Sequence, residues 1–116
     1  MAAVTIYHNP RCSKSRQTLE LLREQGIDPE VIEYLQSPPD EKTLGELLEK
    51  LGLAPGELLR TKEDEYQELG LDAKKDDPAA LIRAMVENPI LIERPIVVKG
   101  DQARLGRPPE QVLEIL

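Results

Sequence analysis

Apolar positions are spaced in two ways along this chain, and the spacing predicts its elements. Val4-Thr5-Ile6 is a short apolar run that reads as a strand. Thr18 to Gln25 is amphipathic and reads as a helix. Its Leu19 and Leu22 share a face, and Gly26-Ile27 supplies a left-handed stop with a following apolar contact. Asp28-Pro29 turns the chain into a second short strand at Val31-Ile32-Glu33-Tyr34. Strand, helix and strand within so short a span make a βαβ unit with parallel strands and a right-handed crossover.

Residues 37–88 carry only the helical period. Ser37-Pro38-Pro39-Asp40 breaks the chain, and Leu44, Leu47, Leu48 and Leu51 then recur at i, i+3, i+4 and i+7 until Gly52. Pro55 opens a short helix carrying Leu58 and Leu59, just before Arg60. Glu63 to Leu69 is acidic and weakly helical. Asp77-Pro78 is an N-cap with proline at the first helical position; Leu81, Ile82, Met85 and Val86 follow as an apolar face, and Asn88-Pro89 ends it. Strand signals return at Ile96-Val97-Val98, with Lys99-Gly100-Asp101 as a turn and Gln102 to Leu105 as an antiparallel partner. After Gly106-Arg107-Pro108-Pro109, a last short helix is expected over Glu110 to Leu116, with Val112, Leu113 and Leu116 packing on the sheet.

The order βαβ, helical block, ββα defines an α/β domain over residues 1–116. Residues 1–36 and 89–116 form the sheet core and 37–88 a helical insertion between the second and third strands. At 116 residues the chain suffices for one modest core, built from Leu, Ile and Val because Phe and Trp are absent. An apolar fraction of 40% with 32% charged residues is that of a soluble globular protein. The net charge of −7 argues against a general nucleic-acid partner. No apolar run approaches the ~20 residues of a membrane span, and no membrane partner is expected. Met1-Ala2-Ala3-Val4 has neither the basic nor the long apolar region of a signal peptide. The single cysteine excludes an internal disulfide, and cytoplasm is the natural compartment. A monomer is expected.

That cysteine, Cys12, lies on the turn from first strand to first helix, where backbone N–H groups are unpaired and the macrodipole is positive. A free thiol titrates near pH ~8.5, and a helix N-terminus with nearby cations lowers this to roughly 3.5–7.5. His8, Arg11, Lys14 and Arg16 all lie within four positions. Basic residues in a first turn oppose the dipole at about 0.3–1 kcal/mol each, a cost that makes sense beside an anion or thiolate. A lone cysteine is more often a small buried hydrophobe, but these polar neighbours argue against burial.

The element order without its helical block is that of a thioredoxin-like domain, whose reactive cysteine ends the first strand; this is fold analogy. His8-Asn9-Pro10-Arg11-Cys12-Ser13-Lys14-Ser15-Arg16 resembles the glutaredoxin-coupled arsenate reductases, the ArsC family. Glu93-Arg94-Pro95-Ile96-Val97-Val98 and Arg104-Leu105-Gly106-Arg107-Pro108-Pro109 resemble the same family, and Arg60 closes a further matching run, Glu57-Leu58-Leu59-Arg60. The resemblance spans about Thr5 to Leu116. It implies a thioredoxin-like mixed sheet with a helical insertion, Cys12 as nucleophile, and Arg60, Arg94 and Arg107 as oxyanion ligands. It also implies that His8 helps keep the thiolate ionised, with Ser15, Arg16 and Pro95 in support. A cis-proline faces the cysteine in thioredoxin-like folds, which makes Arg94-Pro95 a candidate. The chain stops soon after the third arginine, so contacts made by longer members' C-terminal extensions are expected to be absent.

The chemistry agrees with the resemblance. Arsenate is a tetrahedral oxyanion, which a helix N-terminus and arginine forks can hold. Taken singly, each arginine reads as a surface or structural charge. Phosphatase-type chemistry needs Cys and Arg six positions apart, and six after Cys12 is Thr18. A glycine-rich phosphate loop is missing, and no metal or bound cofactor is expected. Reduction of arsenate takes two electrons, and Cys12 is one thiol; Ser15 stands where C-x-x-C would put a second. The other sulfur must come from outside, with glutathione as co-substrate and glutaredoxin to resolve the mixed disulfide. Two alternatives remain open: a regulator resembling Spx, whose C-x-x-C switch Ser15 removes, and a thiol-transfer module acting on glutathionylated proteins.

Overall fold

A computed structural model describes residues 3–116; Met1 and Ala2, part of the stretch read above for a signal peptide, lie outside them. The described residues divide into two compact units, one of residues 3–37 and 94–116 and the other of residues 38–93.

The first unit is a four-stranded mixed sheet, ordered β2-β1-β3-β4. Strand β1 (Val4–His8) pairs in parallel with β2 (Glu30–Glu33) and antiparallel with β3 (Ile96–Lys99), which pairs antiparallel with β4 (Gln102–Leu105). The fold is thioredoxin-like α/β. Helix α1 (Ser13–Glu24) crosses between β1 and β2 and ends at Gly26, whose φ of 77° only glycine adopts without strain. The Ile27 N–H then closes back on the Leu22 carbonyl at 3.0 Å. Ile6 of β1 and Val97 of β3 are in register, and both are buried with Leu22, Val112 and Ile115. Leu19 is only partly buried; the buried stripe of α1 is Ser15, Thr18 and Leu22. The stripe therefore carries two hydroxyls toward the Cys12 end.

The last segment is a 3-10 helix, Pro109–Ile115, where a short helix was expected. Its buried residues are Pro109, Val112 and Ile115, while Leu113 is 42% exposed. Burial every third residue fits three residues per turn, and this is why Leu113 does not pack on the sheet.

The second unit is helical: α2 (Glu41–Leu51), α3 (Pro55–Leu58), α4 (Asp64–Glu68) and α5 (Pro78–Glu87), with 3-10 turns at Leu71–Lys74 and Pro89–Leu91. Asp40 and Asp77 cap α2 and α5 by accepting from the Thr43 and Ala80 N–H groups at 2.7 and 3.2 Å. Helix α5 packs against α2 and α3, with Leu44, Leu47, Leu58, Leu81 and Met85 buried. One isolated antiparallel bridge, Leu59 with Ile92, adds extended backbone where only helices were expected. No helix among the described residues is long and apolar enough to cross a membrane.

Candidate active site

Cys12 is the N-cap of α1. Its backbone is extended (φ −96°, ψ 123°), its N–H donates to the Asn9 carbonyl at 3.0 Å, and its carbonyl accepts the first helical bond, from Arg16 N–H. The Asn9 side chain tightens the same turn, since Oδ1 accepts the Arg11 N–H at 3.0 Å. Cys12 is half-buried, where its polar neighbours argue against burial. Arg11, Lys14 and Arg16 stay exposed, but His8, Asn9 and Ser15 go inside, at 6%, 5% and 0% exposed.

Burial of these three is made tolerable by one another. Ser15 Oγ accepts the Asn9 N–H at 3.0 Å and sits 2.6 Å from His8 Nδ1. Burial holds the His8 pKa below its ordinary value; the charge of Glu33 pulls it back up, and those of Arg23 and Arg16 push it down. The lowered pKa favours the neutral imidazole. Its Nδ1 meets the same Ser15 hydroxyl that accepts the Asn9 N–H in the Cys12 turn.

The cations at the thiol come from far along the chain. Partial burial pushes the Cys12 thiol up. The Ser15 N–H, a hydrogen bond from Arg94, the charge of Arg94 and the Lys14 N–H together outweigh that, and the thiol titrates below its ordinary value. Arg107 Nη2 stands 3.8 Å from Cys12 Sγ, while its Nε donates to the Arg94 carbonyl at 2.8 Å. Arg94 and Arg107 are thus brought to Cys12 and tied to each other. By contrast Arg11 and Lys14 are exposed, and Arg16 donates to the Pro10 carbonyl at 2.9 Å, bracing the loop.

Pro95 is buried, and Arg94-Pro95 is cis, as is Arg107-Pro108. The Gly106 N–H donates to the Pro95 carbonyl at 3.0 Å. A Cβ at Gly106 would lie 2.7 Å from Pro95 Cγ and strike Thr18 Oγ1. The glycine therefore lets the bend that carries Arg107, just after β4, lie against both α1 and the Arg94-Pro95 corner. Asn9, Thr18 and Gly106 were not singled out from sequence; the available signals were an Asn two residues before an exposed arginine and a glycine directly before Arg107.

Arg60 lies in the second unit. Its Nε is 3.2 Å from Glu63 Oε1 and its Nη1 3.7 Å from Glu93 Oε1, with its backbone N–H on the Leu91 carbonyl. Among the described residues, no group of three or more His, Cys, Asp or Glu side chains is placed to hold a metal ion.

Comparison with known proteins agrees with this geometry. The family model described as "ArsC family" matches residues 7–115. This chain belongs to the ArsC family. It is 60% identical over 114 residues to the uncharacterized protein YfgD of Escherichia coli K12, covering 97% of this chain and 96% of that one. It is 49% identical over 117 residues to the arsenate reductase of Neisseria meningitidis serogroup A, covering all of both. Among solved structures, arsenate reductase from Vibrio cholerae superposes with a TM-score of 0.95 at 55% identity, covering 99% of this chain and 98% of that one.

Proposed function

We propose that this ArsC-family protein is an arsenate reductase that draws its second thiol from glutathione and is turned over by glutaredoxin. The observation that carries the reading is a single thiol held between the N–H groups of a helix start and two arginines, Arg94 and Arg107. A thiolate needs the first set, and a tetrahedral oxyanion beside it needs the second. The arsenate reductases of Neisseria meningitidis and Vibrio cholerae, to which the chain is similar, support the substrate.

In this mechanism the Cys12 thiolate displaces an arsenate oxygen and forms an arsenic–sulfur bond. The forks of Arg94 and Arg107 stabilise the charge on the remaining oxygens. Arg60 is retained as a third oxyanion ligand on the resemblance alone; it would share its guanidinium with Glu63 and Glu93. Glutathione supplies the second thiol. Two thiols give up two electrons, arsenic falls from the +5 to the +3 state, and a Cys12–glutathione disulfide remains. Glutaredoxin attacks that disulfide and restores the thiolate. The test is arsenite release by purified protein. With glutathione and glutaredoxin it should proceed, and with thioredoxin as sole reductant it should be slight, because the chain's one cysteine can prepare no internal disulfide. Cys12 exchange without arsenite release would instead favour a thiol-transfer protein.

A further inference from the structure

The loops after β1 and β2 leave a cavity of about 220 Å³ between them, lined by His8, Pro10 and Arg11 from one side and by Glu33, Leu35 and Gln36 from the other. The strand order fixes which flank of Cys12 it occupies. Strand β2 borders β1 on one side, and β3 and β4 lie on the other. Cys12 follows β1, and Arg94 and Arg107 reach it from the β3–β4 side. A sulfur whose one flank holds an oxyanion has the β2 flank left for an incoming thiol.

We propose that this cavity is the docking subsite of the peptide thiol and holds a terminal carboxylate of glutathione, with Arg11 as its charge partner and Gln36 as its amide donor. It deepens the function proposed above by taking glutathione as the co-substrate. The reach is right. Arg11 adjoins Cys12, about 3.8 Å away between Cα atoms, and one extended residue covers roughly 3.3–3.6 Å. A tripeptide joined to Cys12 by its central sulfur can therefore bring either terminal carboxylate to the Arg11 side chain. Pro10 and Leu35 give the cavity apolar walls. Glu33 adds a negative charge that suits the ammonium of the γ-glutamyl end and opposes the glycyl end.

The subsite can be tested without arsenate, by exchange of Cys12 with oxidised glutathione. The thiolate attacks one sulfur, the Cys12–glutathione disulfide forms, the original S–S bond breaks, and glutathione thiolate leaves. Hydroxyethyl disulfide, small and uncharged, serves as reference, so the ratio of the two second-order rates cancels changes in the nucleophile. Arg11→Gln and Gln36→Ala should each lower that ratio by about three- to tenfold, the range of a part-exposed ion pair or charge-assisted hydrogen bond. Lys14→Gln, a cation on the other side of Cys12 and outside the cavity, should lower it less than Arg11→Gln does. Oxidised γ-glutamylcysteine amide and oxidised N-acetylcysteinylglycine each keep one of the two terminal carboxylates and identify the one held, because the disulfide lacking it loses its advantage over the reference. An unchanged ratio in Arg11→Gln, an equal loss in Lys14→Gln, or full speed with both truncated disulfides would overturn the subsite. Loss of arsenite release with these ratios intact would count against the arsenate chemistry alone.

Discussion

Arg107 Nη2 and Cys12 Sγ stand 3.8 Å apart although 95 positions separate them in the chain. The same guanidinium donates through Nε to the Arg94 carbonyl, so one planar fork is braced through Nε while Nη2 faces the sulfur. Lysine has no such second nitrogen. Arg107→Lys and Arg94→Lys should each lose most arsenate turnover, about 10²-fold or more for loss of an oxyanion donor, with circular dichroism unchanged. Arg60→Lys should lose less, since an ammonium can still supply charge there. Wild-type turnover in Arg94→Lys would remove it from the site.

Against the burial that raises it, the thiol should titrate low because of the Ser15 N–H and Arg94, not because of His8. Thiolate fraction rises as pH rises through the thiol pKa, so the alkylation rate should climb with a midpoint below that of an ordinary thiol, about 8.5. Arg94→Gln removes both a hydrogen bond to the sulfur and a nearby charge, and should move that midpoint up. His8→Gln should move it by a smaller amount, because the groups that lower the thiol are Ser15, Arg94 and Lys14, and His8 meets that turn at the Ser15 hydroxyl. Thiolate absorbance against pH, with Cys12→Ser as blank, reads both shifts. A larger shift in His8→Gln than in Arg94→Gln would reverse the assignment.

Gly106 is where backbone geometry sets the chemistry. A methyl group there meets Pro95 and Thr18 together, and overpacking of this kind costs about 1–3 kcal/mol. Gly106→Ala should lower the denaturation midpoint accordingly and, because Arg107 is the next residue, depress turnover further than stability loss explains. Denaturant titration and turnover on the same sample give both values. An alanine variant with wild-type stability would mean that the corner has room.

Much of this site could be read along the sequence where neighbours in the chain are neighbours in space. The apolar run Val4-Thr5-Ile6 and the amphipathic stretch from Thr18 locate a helix start near the thiol, and Cys12 is its N-cap. Charge was harder to read. Arg11, Lys14 and Arg16 are close in sequence, but an extended loop and a helix's first turn point side chains in separate directions, and these go to solvent or to the Pro10 carbonyl. The cations that reach the sulfur come from beside β3 and β4, and only the family resemblance identified them. Helical period also misled at the C-terminus. Val112 and Ile115 are three apart, which a 3-10 helix stacks on one face and an α-helix would only approximate.

Intact-mass spectrometry of Cys12 reads the central claim directly. Protein, arsenate and reduced glutathione are mixed with glutaredoxin left out. One glutathionyl group should accumulate on Cys12, with one arsenite released per adduct, and none should form in Cys12→Ser or without arsenate. Arsenite released repeatedly under these conditions with no adduct, or an adduct that forms equally well without arsenate, would contradict it.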